Sequence, residues 1–294
     1  MGFAVLAFRH SVLFRPDIRR HMMKQRSPLP GFGLSMGVTL GYLSLIVLLP
    51  LTVLVLRTFG LTAEEFWHIA SSPRAIAAYR VTITSAAWAT LFNVILGGAL
   101  AWILVRYEFP GRRILDAMIE LPFALPTAVA GIALTTLLAR NGWLGAPLES
   151  VGIKVAYTQL GIIVAMIFTS LPFVVRTVEP VLREIESEIE ESALLLGASE
   201  MNIFRRVLLP DLMPAFLAGA GMSFARSLGE YGAIIFIAGN LPMRTEIVAL
   251  LTVIRLEEYE YEAAATYATT ILIFSLFFLL VSNLAQGFLL RHVK

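Results

Sequence analysis

Long runs without a charged side chain restrict the fold of this sequence more than any other feature does. Residues 34–56, 81–105, 121–139 and 263–287 contain no Asp, Glu, Lys or Arg. A bilayer core of about 30 Å is crossed by about 20 apolar residues in a helix that rises about 1.5 Å per residue, so each run is long enough to span. Two further stretches are less regular. Residues 160–175 are short unless Thr158 and Gln159 join them, and residues 212–238 contain Arg226 and Glu230. Six spans is the simplest count, and the fold class it predicts is all-α and polytopic. Composition agrees: 15% of the 294 residues are charged and the mean hydropathy is +0.78, whereas soluble domains carry about 25% charged residues.

Lys and Arg in the connecting segments predict the orientation, because cytoplasmic loops carry the excess. With the N-terminus inside, fifteen fall on the cytoplasmic side: six in residues 1–33, then Arg106, Arg112, Arg113, four between Arg176 and Arg206, and Arg291 with Lys294. Seven fall outside and Arg226 lies within a span. Both termini are therefore expected in the cytoplasm. The domain reading follows: a basic tail over 1–33, a first span and outer loop over 34–77, a core over 78–287 with a cytoplasmic loop at 176–211, and a tail over 288–294.

Several chemistries are excluded or unsupported. There is no cysteine, and His10, His21, His68 and His292 are too scattered to form a metal cluster from spacing. No P-loop or dinucleotide-binding glycine fingerprint occurs, so the chain shows no nucleotide site of its own. Net charge is only +2, with basic and acidic residues interspersed, which argues against nucleic acid as a partner. No catalytic constellation and no metal ligand set emerges, and the lipid bilayer is the partner that composition itself requires.

Inside the spans, Pro122, Pro126, Pro172, Pro210 and Pro214 each remove a helix donor. Membranes tolerate this where neighbours satisfy the freed carbonyl, and broken helices of this kind line many transport paths. Arg226 and Glu230 are the strong opposite charges within a span, and a charge at a helix centre costs about 2.5–3.5 kcal/mol on insertion scales, so both are expected to face protein or water. Arg followed by Glu is the weaker order for a helical pair, and Gly229 and Gly232 loosen the backbone. Residues 227–233 are accordingly predicted to form a bend near an outer gate. No cluster of Arg or Lys is evident in the spans, which suggests a ligand selected elsewhere.

The loop at 176–211 is too polar for the bilayer. Its acids, from Glu184 to Glu191, suit the first turns of a helix, and Arg205 and Arg206 suit a last turn, with Pro210 preventing continuation. Gly197 sits within the apolar pattern, where it costs about 1 kcal/mol relative to alanine, and a hinge or a tight contact is expected there.

The spacing within this loop resembles a known motif. Glu191-Ser192-Ala193, three residues, Gly197, nine residues, and Val207-Leu208-Leu209-Pro210 is similar to the EAA motif of permease subunits in ATP-binding-cassette importers. The departures are Ser192 for alanine and Val207 for isoleucine. The resemblance implies that Glu191, Ser192, Ala193 and Gly197, backed by Val207, Leu209 and Pro210, form a short helix-turn-helix that docks on an ATPase subunit. From about residue 79 to 284 the chain resembles the type I importer permease core. Residues 121–131, 141–145, 227–233 and 239–242 are similar to sulfate and thiosulfate permeases of the T-subunit family, and molybdate permeases share shorter versions. The resemblance implies a second homologous permease, two ATPase subunits that hold ATP-Mg, an external sulfate-binding protein, and no cofactor on this chain. Molybdate or tungstate import is the alternative reading.

Overall fold

A computed structural model describes residues 31–292, and among the described residues every regular element is a helix. The chain divides into two units, Met1–Val53 and Leu54–Lys294. In the first unit the described residues are helical, with a π turn at Ser44–Leu48. Most of the basic tail expected over 1–33 lies outside the described residues.

Helix α1 is the apolar run Phe32–Phe59. It is followed by α2, Ala63–Ala70, and α3, Pro73–Arg106. Next come α4, Arg112–Ala124, and α5, Thr127–Leu138, then the short α6, Gly145–Ser150. The long α7, Gln159–Glu184, leads to α8, Ser187–Leu195, and to α9, Glu200–Leu228. A single turn α10, Ile234–Ile237, then α11, Val248–Glu257, and α12, Tyr261–His292, complete the chain. Among the described residues, five helices are long and apolar enough to cross a membrane, and the bent pair α4 and α5 makes a sixth if it is one span.

Local chemistry sets several boundaries. The Thr62 hydroxyl accepts from Glu65 N–H at 3.3 Å while a Glu65 carboxylate oxygen accepts from Thr62 N–H at 2.8 Å, a reciprocal capping box that starts α2. Proline at 73 occupies the first turn of α3, where a missing N–H costs nothing. Small buried residues, Ala75, Ala78, Ser85, Ala86, Ala89, Gly97 and Ala101, recur on one face of α3. Ala75 and Ala78 pack with Val248, Leu251 and Tyr267, and the later ones let α3 pack closely on α7, so that a Cβ at Gly97 would come within 3.0 Å of the Val174 Cβ.

Four expectations are corrected. Residues 121–139 form no single continuous helix: Pro122 stays within α4, whereas the Leu125–Pro126 step is extended and the chain turns by 115° into α5. Hydropathy is blind to that turn because both arms are apolar. Pro210 does not end a helix. A π turn at Phe204–Leu208 precedes it, with Leu209 N–H donating to the Phe204 carbonyl, and this wider turn absorbs the missing proline donor so that α9 continues to Leu228. The span expected over 212–238 therefore starts earlier and stops sooner, breaking at Gly229. At the C-terminus, α12 runs past residue 287 to His292.

Candidate functional site

The loop between α7 and α9 begins later than expected, because Arg176–Glu184 continues as helix α7. Helix α8 then starts after an extended Glu186, with Glu188 and Glu190 in its first turn, where the helix dipole stabilises anions. It ends in a reciprocal pair of backbone bonds: Gly197 N–H donates to the Leu194 carbonyl at 2.9 Å and Ala198 N–H to the Ala193 carbonyl at 3.1 Å. Gly197 has φ +84°, the left-handed conformation that this termination requires and that L side chains rarely adopt. A Cβ built there meets nothing within 4 Å, so conformation rather than crowding in this chain demands glycine. Gly197 thus terminates α8 rather than standing inside a helix.

The motif residues separate into two places. Glu191, Ser192 and Gly197 are exposed and Ala193 is half-buried on α8 and its terminus. Val207 and Leu209 are half-buried around the π turn, where Leu208 is buried, while Pro210 is exposed. Between them stand Leu195 and Leu196, 89% and 88% exposed, an apolar tip that the spacing did not single out.

One connection was also not legible. Arg106, the last residue of α3, forms an ion pair with Glu190 of α8. Its guanidinium lies 5.4 Å from the Trp102 ring centroid, and Trp102 stands edge-on to Phe204 at 5.8 Å. Glu190, Arg106, Trp102 and Phe204 thus tie the loop helix to α3 and to the π turn. A Trp four residues before a terminal Arg was the available signal, but nothing in the sequence pairs Arg106 with Glu190.

The second group lies where α9 breaks. Arg226 Nη2 stands 2.7 Å from Glu230 Oε2, with side chains 32% and 1% exposed. Glu230 follows the helix end rather than continuing it, and its other oxygen accepts from Ala233 N–H at 2.9 Å. That explains how a pair in the weaker helical order still forms: the carboxylate serves the bend as well as the arginine. Gly229 is exposed, whereas a Cβ at Gly232 would lie 2.1 Å from Thr127 Oγ1 and one at Gly131 would lie 2.4 Å from the Ala233 carbonyl oxygen. The break in α9 therefore packs, nearly backbone to backbone, on the start of α5. One turn into α9 from the bend lies a buried polar knot: Asn93 Nδ2 donates to Ser170 and Ser223 at 2.8 and 3.2 Å, and Ser227 Oγ lies 3.1 Å from Ser170 Oγ. Among the described residues no group of acids and histidines could hold a metal ion.

Residues 93–294 match the family described as binding-protein-dependent transport system inner membrane component. The chain belongs to this family. The sulfate transport system permease protein CysT of Salmonella typhimurium is 50% identical over 271 residues, covering 92% of this chain and 98% of that relative. The protein of the same name from Escherichia coli matches to the same extent, and that of Synechocystis is 47% identical over 257 residues, with 87% and 90% covered. Among solved structures, a bacterial ABC transporter involved in the import of alginate superimposes with a TM-score of 0.72 at 16% identity, covering 92% of this chain and 97% of that one. The methionine transporter MetNI in an inward-facing conformation gives 0.52 at 18% identity, with 80% and 100% covered. These likenesses carry the fold, that of an ABC importer permease. As a multi-pass inner membrane component, the chain is a transport subunit.

Proposed function

We propose that this chain is the membrane-spanning permease of a sulfate importer driven by ATP on a separate subunit. The observation that carries the substrate is the 50% identity to sulfate permeases over nearly the whole of both chains. Thiosulfate shares the tetrahedral dianionic chemistry and is included in the reading. Molybdate and tungstate are not favoured, because the named relatives are sulfate permeases.

The assembly comprises this chain, a second homologous permease, two ATPase subunits that hold ATP-Mg, and an external sulfate-binding protein. Both termini and α8 face the cytoplasm. The exposed turn Glu191–Gly197, with Leu195 and Leu196 at its tip, seats in the ATPase, and Val207, Leu209 and Pro210 form its return into α9. Support comes from exposure: an apolar tip at the end of an acidic helix is an uncovered docking element. Arg226, Gly229, Glu230 and Gly232 form a gate, supported by the close packing of the break after α9 on the first turns of α5 at Thr127 and Gly131.

Radiolabelled sulfate uptake tests the reading, in vesicles that contain the chain and the subunits that co-purify with it, with thiosulfate and molybdate as competitors. ATP-dependent uptake blocked by thiosulfate and little affected by molybdate is expected. Uptake of molybdate in preference to sulfate, or no co-purifying ATPase, would overturn it.

A further inference from the structure

Arg176 lies on α7, eight positions before its end at Glu184, and its guanidinium holds three carboxylates. Through Nη2 it reaches Asp116 Oδ1 at 2.7 Å and Glu120 Oε1 at 2.8 Å, both on α4. Through Nη1 it reaches Glu179 Oε2 at 2.7 Å, and the other Glu179 oxygen accepts from Arg183 Nη2 at 2.5 Å. One turn above, Phe123 of α4 stands edge-on to Phe173 of α7 at 5.3 Å. An interhelical bridge that served only to fasten two helices would need one acid. Here two acids from one helix crowd a single NH2 group and repel each other.

The two sets of acids are not equivalent. Glu179 is 9% exposed and sits on the arginine's own helix, so it is a fixed partner that orients the guanidinium. Asp116 and Glu120 are 46% and 60% exposed and sit on α4, whose only buried residue among those described is Ile119. Helix α4 leaves the bundle by the 115° turn at one end and by Gly111, at φ +93°, at the other. A helix so lightly packed separates at low cost. When it does, the NH2 edge of Arg176 loses two single negative charges.

We propose that Arg176 is a relay site for a tetrahedral dianion on the inner half of the path, and that Asp116 and Glu120 are its built-in substitutes. One divalent oxyanion replaces two carboxylates without changing the net charge around the guanidinium, and its oxygens suit the planar donor fork. A monovalent oxyanion replaces only one of the two charges that Asp116 and Glu120 supply. Return of α4 restores the carboxylates and expels the anion, so the site is empty whenever the helix is closed. Charge-free runs concealed this arrangement, because Arg176 was read as the first residue of a loop. The inference rests on oxyanion import as proposed above.

Equilibrium binding of radiolabelled sulfate tests it, using the chain purified with its co-purifying subunits and without external binding protein. Asp116→Asn combined with Glu120→Gln is expected to tighten sulfate binding at least tenfold over wild type, and adding Arg176→Gln should remove the gain. Excess perchlorate, tetrahedral and monovalent, should compete weakly. If the double variant is poorly produced, Glu120→Gln alone, the more exposed position, should give a several-fold gain. No gain in either variant, or a gain that survives Arg176→Gln, would overturn the relay. A gain for molybdate but not sulfate would keep the relay and remove sulfate as the substrate. Sulfate uptake by wild type with no gain in the variants would remove the relay alone.

Discussion

Gly197 and Glu230 show how single residues carry the proposed mechanism, and each gives a test. At Gly197 an L side chain pays about 1–2 kcal/mol for left-handed backbone, yet a Cβ touches nothing in this chain. Gly197→Ala should therefore reduce ATP-dependent uptake only in part, through strain, whereas Gly197→Trp should abolish it through bulk at the docking face. Uptake assays alongside immunoblots for membrane insertion check this, with insertion normal in both variants. For Glu230, the ion pair with Arg226 and the bond from Ala233 N–H are separable. Glu230→Gln keeps an acceptor for the amide and loses the charge, so yield should hold while ATP hydrolysis without binding protein rises. Hydrolysis by reconstituted complexes measures it, and unchanged dependence on binding protein would remove the gate role. The sequence made this pair legible by spacing, and the bend by its glycines. It could not reveal that Glu230 caps the next turn, since that depends on where α9 stops.

At the level of elements, the chain is read best where one physical property decides and worst where two compete. Apolar runs located α1, α3 and α12, whose ends extend beyond the charge-free cores. Proline misled at Pro210, because the helix-breaking rule assumes an α-helical ladder and the π turn supplies a different one. The same residue type did break the chain at Pro126, where an extended preceding Leu125 matched the usual restriction before proline. The tie between α3 and α8 was invisible, since Arg106 and Glu190 are far apart in sequence. Its proposed role is to carry motion from the docking helix into the bundle. Glu190→Ala should lower uptake by about tenfold, of the order expected from 1.4 kcal/mol lost at one step, while ATP hydrolysis continues. The exchange Arg106→Glu with Glu190→Arg should restore part of the uptake, and equal loss in single and exchanged variants would show that the pair does not transmit.

For the whole molecule, charge distribution gives a topology that a reporter can check. A fusion after Lys294 or within residues 184–206 should read as cytoplasmic, and one within 143–154 as external. A reversed pattern would sink the orientation and the docking proposal together. Fold class was legible because a bilayer admits few solutions for long charge-free runs, and closed helices are the simplest. How α4 and α5 turn, and which acids gather on Arg176, required the three-dimensional packing.

The continuity of α9 has a mechanical consequence. From Glu200 beside the docking turn to Leu228 at the bend it is a single rod of 29 residues, about 43 Å long at about 1.5 Å per residue. A rod transmits displacement end to end with little loss, whereas a jointed path dissipates it at every link. The π turn is a compliant section near the end that carries the proposed docking turn, and Pro214 is a second place where the helix lacks a backbone donor. On the docking proposed above, the throw of this rod would be set by the turn at Phe204–Leu208 and by Pro214.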